Sequence, residues 1–223
     1  MRTRLHDALT ATALLLVFAA PVSAVTLKAP SLILEGGIAS TDVFPQPYLE
    51  THRILSGTGG LALDLHFNDR VSLEPGVLFV RRGTRLGESQ VTDSGGNVIG
   101  SIKSYLTADY TQIPVMGRFE PPTESTFKPF ALLGASFGFK TAEQLRTEGA
   151  IEATYPSSRF KSFELGFVAG GGVEYGLGHH RMVMDLRYDS GITQHDAGNG
   201  VKFHTDAVML MAGYVYHPGH SGS

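Results

Sequence analysis

The sequence predicts an all-β chain: a single up-and-down antiparallel transmembrane β-barrel of about eight strands, preceded by a cleaved signal peptide. Three observations carry that prediction. They are a period-two alternation through residues 59–80, an export signal at the N-terminus, and connections that alternate between long and short.

In the first of these, Leu61, Leu63, Leu65 and Phe67 alternate with Ala62, Asp64, His66 and Asn68. After the polar break Asn68-Asp69-Arg70, the alternation resumes with Val71, Leu73, Pro75, Val77 and Phe79. A period of two sets the apolar residues on one face of a hairpin and Asp64, His66 and Glu74 on the other. A soluble sheet would need a core to cover the apolar face, whereas a closed barrel in a bilayer would turn it to lipid. The hairpin alone fits both.

The N-terminus favours export. Arg2 and Arg4 precede the apolar run Ala11–Ala20, Pro21 breaks it, and Val22-Ser23-Ala24 supplies small residues for a signal peptidase. The run is well short of the roughly 20 residues that a spanning helix needs. The expected division is a signal peptide over 1–24 and a barrel domain over 25–223. With no cysteine in the chain, there is neither a lipoprotein anchor nor a disulfide framework. Removing Arg2, Arg4 and Asp7 takes two from 18 basic side chains and one from 21 acidic ones, leaving 16 against 20. That mildly acidic balance argues against a nucleic-acid partner.

The remaining strands follow in order. Ser31–Ser40 sets Leu32, Leu34 and Ile38 against Glu35, and the hairpin supplies the next two. Ser104–Phe119 turns Ile113, Val115 and Phe119 out and Gln112, Met116 and Arg118 in. Lys128–Thr141 alternates Leu133, Ala135, Phe137 and Phe139 with Gly134, Ser136, Gly138 and Lys140. Phe160–Tyr175 sets Phe163, Leu165, Phe167, Val173 and Tyr175 against Glu164, Glu174 and several glycines. Arg181–Ser190 sets Met182, Met184, Leu186 and Tyr188 against Arg181, Asp185, Arg187 and Asp189. Thr205–Tyr216 offers Val208, Leu210, Ala212, Tyr214 and Tyr216.

Between these strands, 41–58, 82–103, 142–159 and 191–204 are the longer connections, while 68–70, 120–127 and 176–180 are shorter. Consecutive connections of an up-and-down barrel fall on opposite rims, so the longer ones share a side. Outer-membrane barrels have this layout, with short periplasmic turns and longer extracellular loops. A Greek-key sandwich has no reason to produce it.

Glu35, Asp64, His66, Glu74, Arg118, Glu164, Glu174, Arg181, Asp185 and Arg187 all lie on the less apolar side of their strands. In an eight-stranded barrel, whose interior side chains can fill it, they would form a polar network across the lumen. On the lipid face a charge would cost roughly 2–4 kcal/mol near the midplane. Phe119, Phe127, Tyr175, Tyr214 and Tyr216 fall toward the periplasmic rim, and Tyr105, Phe160 and Tyr188 toward the other, as interfacial girdles would.

The run Tyr110-Thr111-Gln112-Ile113-Pro114-Val115-Met116 resembles the strand motif of PorT-like outer-membrane β-barrel proteins, where an aromatic and a short polar–apolar step precede Ile-Pro. Phe130–Ala135, Gly170–Tyr175 and Leu186–Thr193 follow in that family's order, and the resemblance covers most of residues 27–216. It extends to the wider OmpA/OmpX-type barrels. It implies an eight-stranded barrel in the outer membrane of a Gram-negative bacterium, usually without catalysis. Such barrels tend to end on an aromatic, whereas His217–Ser223 follow Tyr216 here. The assembly signal would then be Tyr214-Val215-Tyr216 with a short tail.

Candidate chemistry is sparse. Some outer-membrane barrels are enzymes, and lipid A deacylases among them use a His-x-Ser-Asn motif plus a glutamate, with serine as nucleophile and histidine as base. Thr193-Gln194-His195-Asp196-Ala197 has no serine two residues beyond His195, so the nucleophile is missing and His195-Asp196 reads as an exposed loop pair. His179, His180, His217 and His220 would share one rim, yet no carboxylate stands at a fixed spacing to complete a metal site. Asp93-Ser94-Gly95-Gly96-Asn97 lacks the acidic repeat of a calcium loop and reads as a loop tip. Asp64, His66 and Glu74 read as part of the lumen network. No catalytic residue, metal ligand or cofactor is expected. The expected partners are outer-membrane lipid and lipopolysaccharide, the barrel assembly machinery and an extracellular ligand of the long loops. A structural or surface-interaction barrel is the leading expectation. A lipid-A-modifying enzyme, a narrow pore and a soluble periplasmic β-protein are the alternatives.

Overall fold

Alternating sequence becomes a closed wall. The computed structural model describes residues 29–44, 51–150, 152–177, 180–196 and 201–217; the 1–24 signal-peptide reading, His179 and His220 lie outside them. Among the described residues twelve strands are formed: β1 (Ser31–Phe44), β2 (Thr51–His52), β3 (Ile54–His66), β4 (Val71–Leu86), β5 (Ser89–Thr92), β6 (Val98–Phe119), β7 (Phe127–Gly149), β8 (Ala153–Pro156), β9 (Phe163–Leu177), β10 (His180–Gly191), β11 (His195–Asp196) and β12 (Lys202–Tyr216). Eight long strands pair antiparallel in the ring β1-β3-β4-β6-β7-β9-β10-β12, and β12 returns to β1. The short strands β2, β5, β8 and β11 extend the sheet at one end. Closure leaves the wall no unpaired edge, the condition for a sheet to cross a membrane.

Alternation sorts the side chains as the period-two pattern predicts. Leu34, Phe79, Leu133, Met184 and Leu186 point outward and are exposed, while Ile33, Leu78, Leu132, Val183 and Met209 point inward and are buried. Exposed apolar side chains continue around every long strand, a surface suited to lipid. The interior is not purely polar. Ala39, Leu78, Val80, Met209 and Met211 form one buried apolar cluster, and Ile33, Met116, Leu132, Val168 and Val215 another.

The hairpin at 59–80 forms as expected, and its strands pair with Leu61 opposite Val77 and Leu65 opposite Leu73. Its turn is held by the Asn68 side chain, whose Oδ1 accepts from the Arg70 and Val71 amides at 2.8 and 2.9 Å. Such an Asx arrangement satisfies the turn backbone locally.

The longer connections need correction. Much of 82–103 and 142–159 is strand, because β4 runs on to Leu86, β6 begins at Val98 and β7 continues to Gly149. Polar side chains on both faces, Arg82 and Thr84 buried inside and Arg81 and Arg85 outside, hid this extension from an apolar-periodicity reading. The 93–97 segment is a turn, as expected. Asp93 Oδ1 accepts from the Gly95 and Asn97 amides at 2.8 and 2.9 Å, and Gly96 adopts φ +82°. Phe160 lies outside β9, which starts at Phe163, and is buried rather than part of an aromatic girdle. Phe119, Phe127, Tyr188, Tyr214 and Tyr216 are exposed on the outer wall, and Phe127 stacks on Tyr175 at 4.6 Å.

Candidate functional site

Inward positions of the long strands bring three arginines into the lumen, each shared by two or more carboxylates. The first is Arg187 of β10. Its guanidinium donates to both Glu35 oxygens at 3.1 and 2.6 Å and to both Asp185 oxygens at 2.6 and 3.0 Å. Such forked geometry is what the planar guanidinium favours.

Arg118 of β6 is the second hub, toward the rim with the short turns. It donates to Glu74 at 3.1 Å and Glu174 at 2.8 Å, and its Nε lies 2.7 Å from Glu120 Oε1. Its Cζ sits 3.9 Å above the Phe130 ring, a cation–π contact in a desolvated setting. Arg181, half-buried at the rim, reaches the other Glu174 oxygen at 3.1 Å. His66 is likewise half-buried, with Nδ1 3.4 Å from the buried Asp64.

The third hub was not among the sequence candidates. Arg82 of β4 donates to Asp189 at 2.6 Å, to Glu164 at 3.2 Å and to the Thr205 hydroxyl at 2.8 Å. Gln112 and Ser136 also donate to Asp189, and Thr205 to Glu164. Two glycines make room. A side chain at Gly166 would strike Ser136 and Asp189, and one at Gly191 would strike Glu164 and Thr205. Arg82 escaped notice because Arg81-Arg82-Gly83 reads as the start of a loop. The in–out order Leu78, Val80, Arg82, Thr84 was the available signal.

His195 is a correction. It is not an exposed loop residue: it is fully buried, packed against Phe160 and Phe203 with ring centroids 5.3 Å away from each. Its Nδ1 accepts from the Lys161 amide at 3.0 Å, which leaves the other ring nitrogen facing Glu164 at 3.8 Å. Asp196 beside it is exposed. The apolar collar requires burial because β11 folds back onto β12, placing His195 opposite Phe203.

All ten sequence candidates thus lie on the inner side or at the inner rim, but they form separate groups rather than one network. Glu35, Asp185 and Arg187 make one group; Glu74, Arg118, Glu174 and Arg181 make another; Glu164 belongs to Arg82; and Asp64 stands with His66. Among the described residues, no three His, Asp or Glu side chains converge as metal ligands would. At the short-turn rim a cavity of about 760 Å³ is lined by His66, Glu120, Arg181 and His217. Burial there pushes the His217 imidazole below its ordinary value, helped by the Arg181 charge.

The chain matches the family described as "Outer membrane protein beta-barrel domain" over residues 34–196. No curated relative matches. Among solved structures it is similar to Neisserial surface protein A, at 14% identity and a TM-score of 0.47, covering 86% of this chain and 98% of that one. It is also similar to Ail of Yersinia pestis, at 17% identity and 0.42, covering 85% and 99%. OprG of Pseudomonas aeruginosa is a third, at 18% and 0.43, covering 85% and 97%. With strands closed in a ring, an apolar outer wall and a family match across most of its length, this chain belongs to the outer membrane protein β-barrel domain family and resides in the outer membrane.

Proposed function

We propose that this barrel is a non-enzymatic, side-chain-plugged scaffold that presents its strand extensions and loops at the cell surface. The observation that carries this reading is Arg82. It leaves one wall on β4 and bonds to Asp189 on β10, the strand four places away around a ring of eight. A link between opposite walls fills the lumen at that level. Arg118 and Arg187 brace it at two others. A barrel of this size has little interior beyond what side chains occupy, so free diffusion of solutes is not its role.

Burial of His195 argues against its acting as a surface-accessible base, and most of the acids in the described lumen are paired with guanidinium groups. The order of the Tyr110–Met116, Phe130–Ala135 and Gly170–Tyr175 motifs supports placing the chain in the PorT-like group. The terminal Tyr214-Val215-Tyr216 is the segment that assembly machinery would read, and the surrounding lipid and lipopolysaccharide are its solvent. Overexpression followed by mass spectrometry of lipid A tests the non-enzymatic reading. An unchanged lipid A profile is expected; a modified one that disappears with His195→Gln would replace it with an enzyme.

A further inference from the structure

Above the apolar belt, the outer wall of β3, β4, β6 and β7 carries a concave cluster of arginines. Outward residues climb in register there. Phe79 of β4 lies opposite Thr111, and Thr111 opposite Phe139, at the last apolar rung. Arg81 stands one outward position higher, opposite Asp109. Two more outward positions bring Arg85 opposite Tyr105, and Tyr105 opposite Arg146. At about 3.3 Å per residue and a strand tilt of about 40°, Arg85 stands roughly 15 Å above Phe79 along the membrane normal, beyond the hydrocarbon.

These side chains line a cavity of about 510 Å³, to which Arg53 also contributes. Carboxylates neutralise part of the charge. Arg81 bonds to Asp109 at 2.6 and 3.0 Å, Arg146 to Glu148 at 3.0 Å, and Arg53 to Asp206 at 2.9 Å. The Arg85 guanidinium makes no ion pair or hydrogen bond among the described residues. Directly below, a second concavity of about 470 Å³ shares Leu55 and Arg81 with the first and is floored by Gly57 and Phe79. Nothing approaches within 4 Å of a Cβ built on Gly57. A cationic cradle thus continues downward into an apolar groove along the membrane normal.

We propose that this double concavity is a binding site for a phosphorylated, acylated glycolipid of the outer leaflet, the chemistry of lipid A. Arg85 and Arg146 engage a phosphate through forked hydrogen bonds, Tyr105 lies against the sugar, and one acyl chain follows the Leu55–Gly57–Phe79 groove. The site stands on the outer wall and is independent of the loop-display role, so either can fail alone.

The test uses the full-length barrel refolded in detergent, with Kdo2–lipid A as probe and native mass spectrometry as readout. Heat-modifiable migration verifies that each variant is folded. Arg85→Ala/Arg146→Ala is expected to weaken binding at least about tenfold, with the lysine pair Arg85→Lys/Arg146→Lys retaining part of it. Gly57→Leu, which fills the groove without touching the arginines, is expected to weaken Kdo2–lipid A as well. Dephosphorylated lipid A should bind no better to the native protein than to the double alanine variant. Binding that is equal in all folded variants would overturn the proposal. So would binding of inorganic phosphate that matches that of the glycolipid, because the site would then recognise an anion only.

Discussion

Arg82 and Asp189 face each other across the lumen from opposite walls, 2.6 Å apart, with neither exposed to solvent. Strand alternation places both inward, and the missing side chain at Gly166 leaves the Asp189 carboxylate its space. Removing one member of such a pair strands the other's charge, which is far more damaging than replacing both.

Arg82→Met is therefore expected to destabilise the barrel by about 3–5 kcal/mol, since it leaves Asp189 and Glu164 buried without a countercharge. Adding Asp189→Asn to the same chain should recover part of the loss. Urea titration in detergent micelles, followed by gel mobility of the folded form, measures both variants.

On the outer wall the expected response depends on height. Leu186 is exposed on β10 and pairs with Leu210 within the apolar belt. Leu186→Arg should cost about 2–4 kcal/mol in a phospholipid bilayer. Gln144→Arg, on the outer wall beside Arg85 and Tyr105, should cost close to nothing. Folding titrations into vesicles compare the two.

His195→Leu should preserve the packing against Phe160 and Phe203 but leave the Lys161 amide without its acceptor. The expected penalty is about 1–3 kcal/mol, concentrated in the 159–161 and 193–196 segments. Hydrogen exchange would register it as faster exchange there, with β6 and β7 unchanged.

The His217 imidazole titrates below its usual 6.5 because it is partly buried and faces Arg181. An unfolded chain binds this proton more readily, so the neutral form's contribution is complete above 6.5 and is lost as pH falls through the lower folded value. NMR titration of the folded protein should place His217 below an unfolded reference, and Arg181→Gln should raise it.

Much of the wall was legible because a barrel in lipid writes its two environments into alternate residues. Leu61, Leu63, Val77 and Phe79 faced outward as their spacing required, and the inward acids and arginines followed from the same rule. What lay beyond the bilayer was not legible. Arg81, Arg85 and Arg146 continue the strands, yet with polar side chains on both faces the apolar signal disappears. Arg82 was hidden in that transition. His195 was hidden for another reason: its burial depends on β11 folding onto β12 and on Phe160 arriving from a different connection, a tertiary meeting that no local pattern records. The inward apolar residues, Met116, Met209 and Met211 among them, show that a small lumen is packed as a core and not only as a polar network.

Single-channel recording of the native barrel in planar lipid bilayers bears most directly on the plugged lumen. With Arg82, Arg118 and Arg187 bridging the walls, the expected trace is flat, without conductance steps over a range of voltages and salt concentrations. Steady, reproducible steps from pure, heat-modifiable protein would contradict the account and make this barrel a pore.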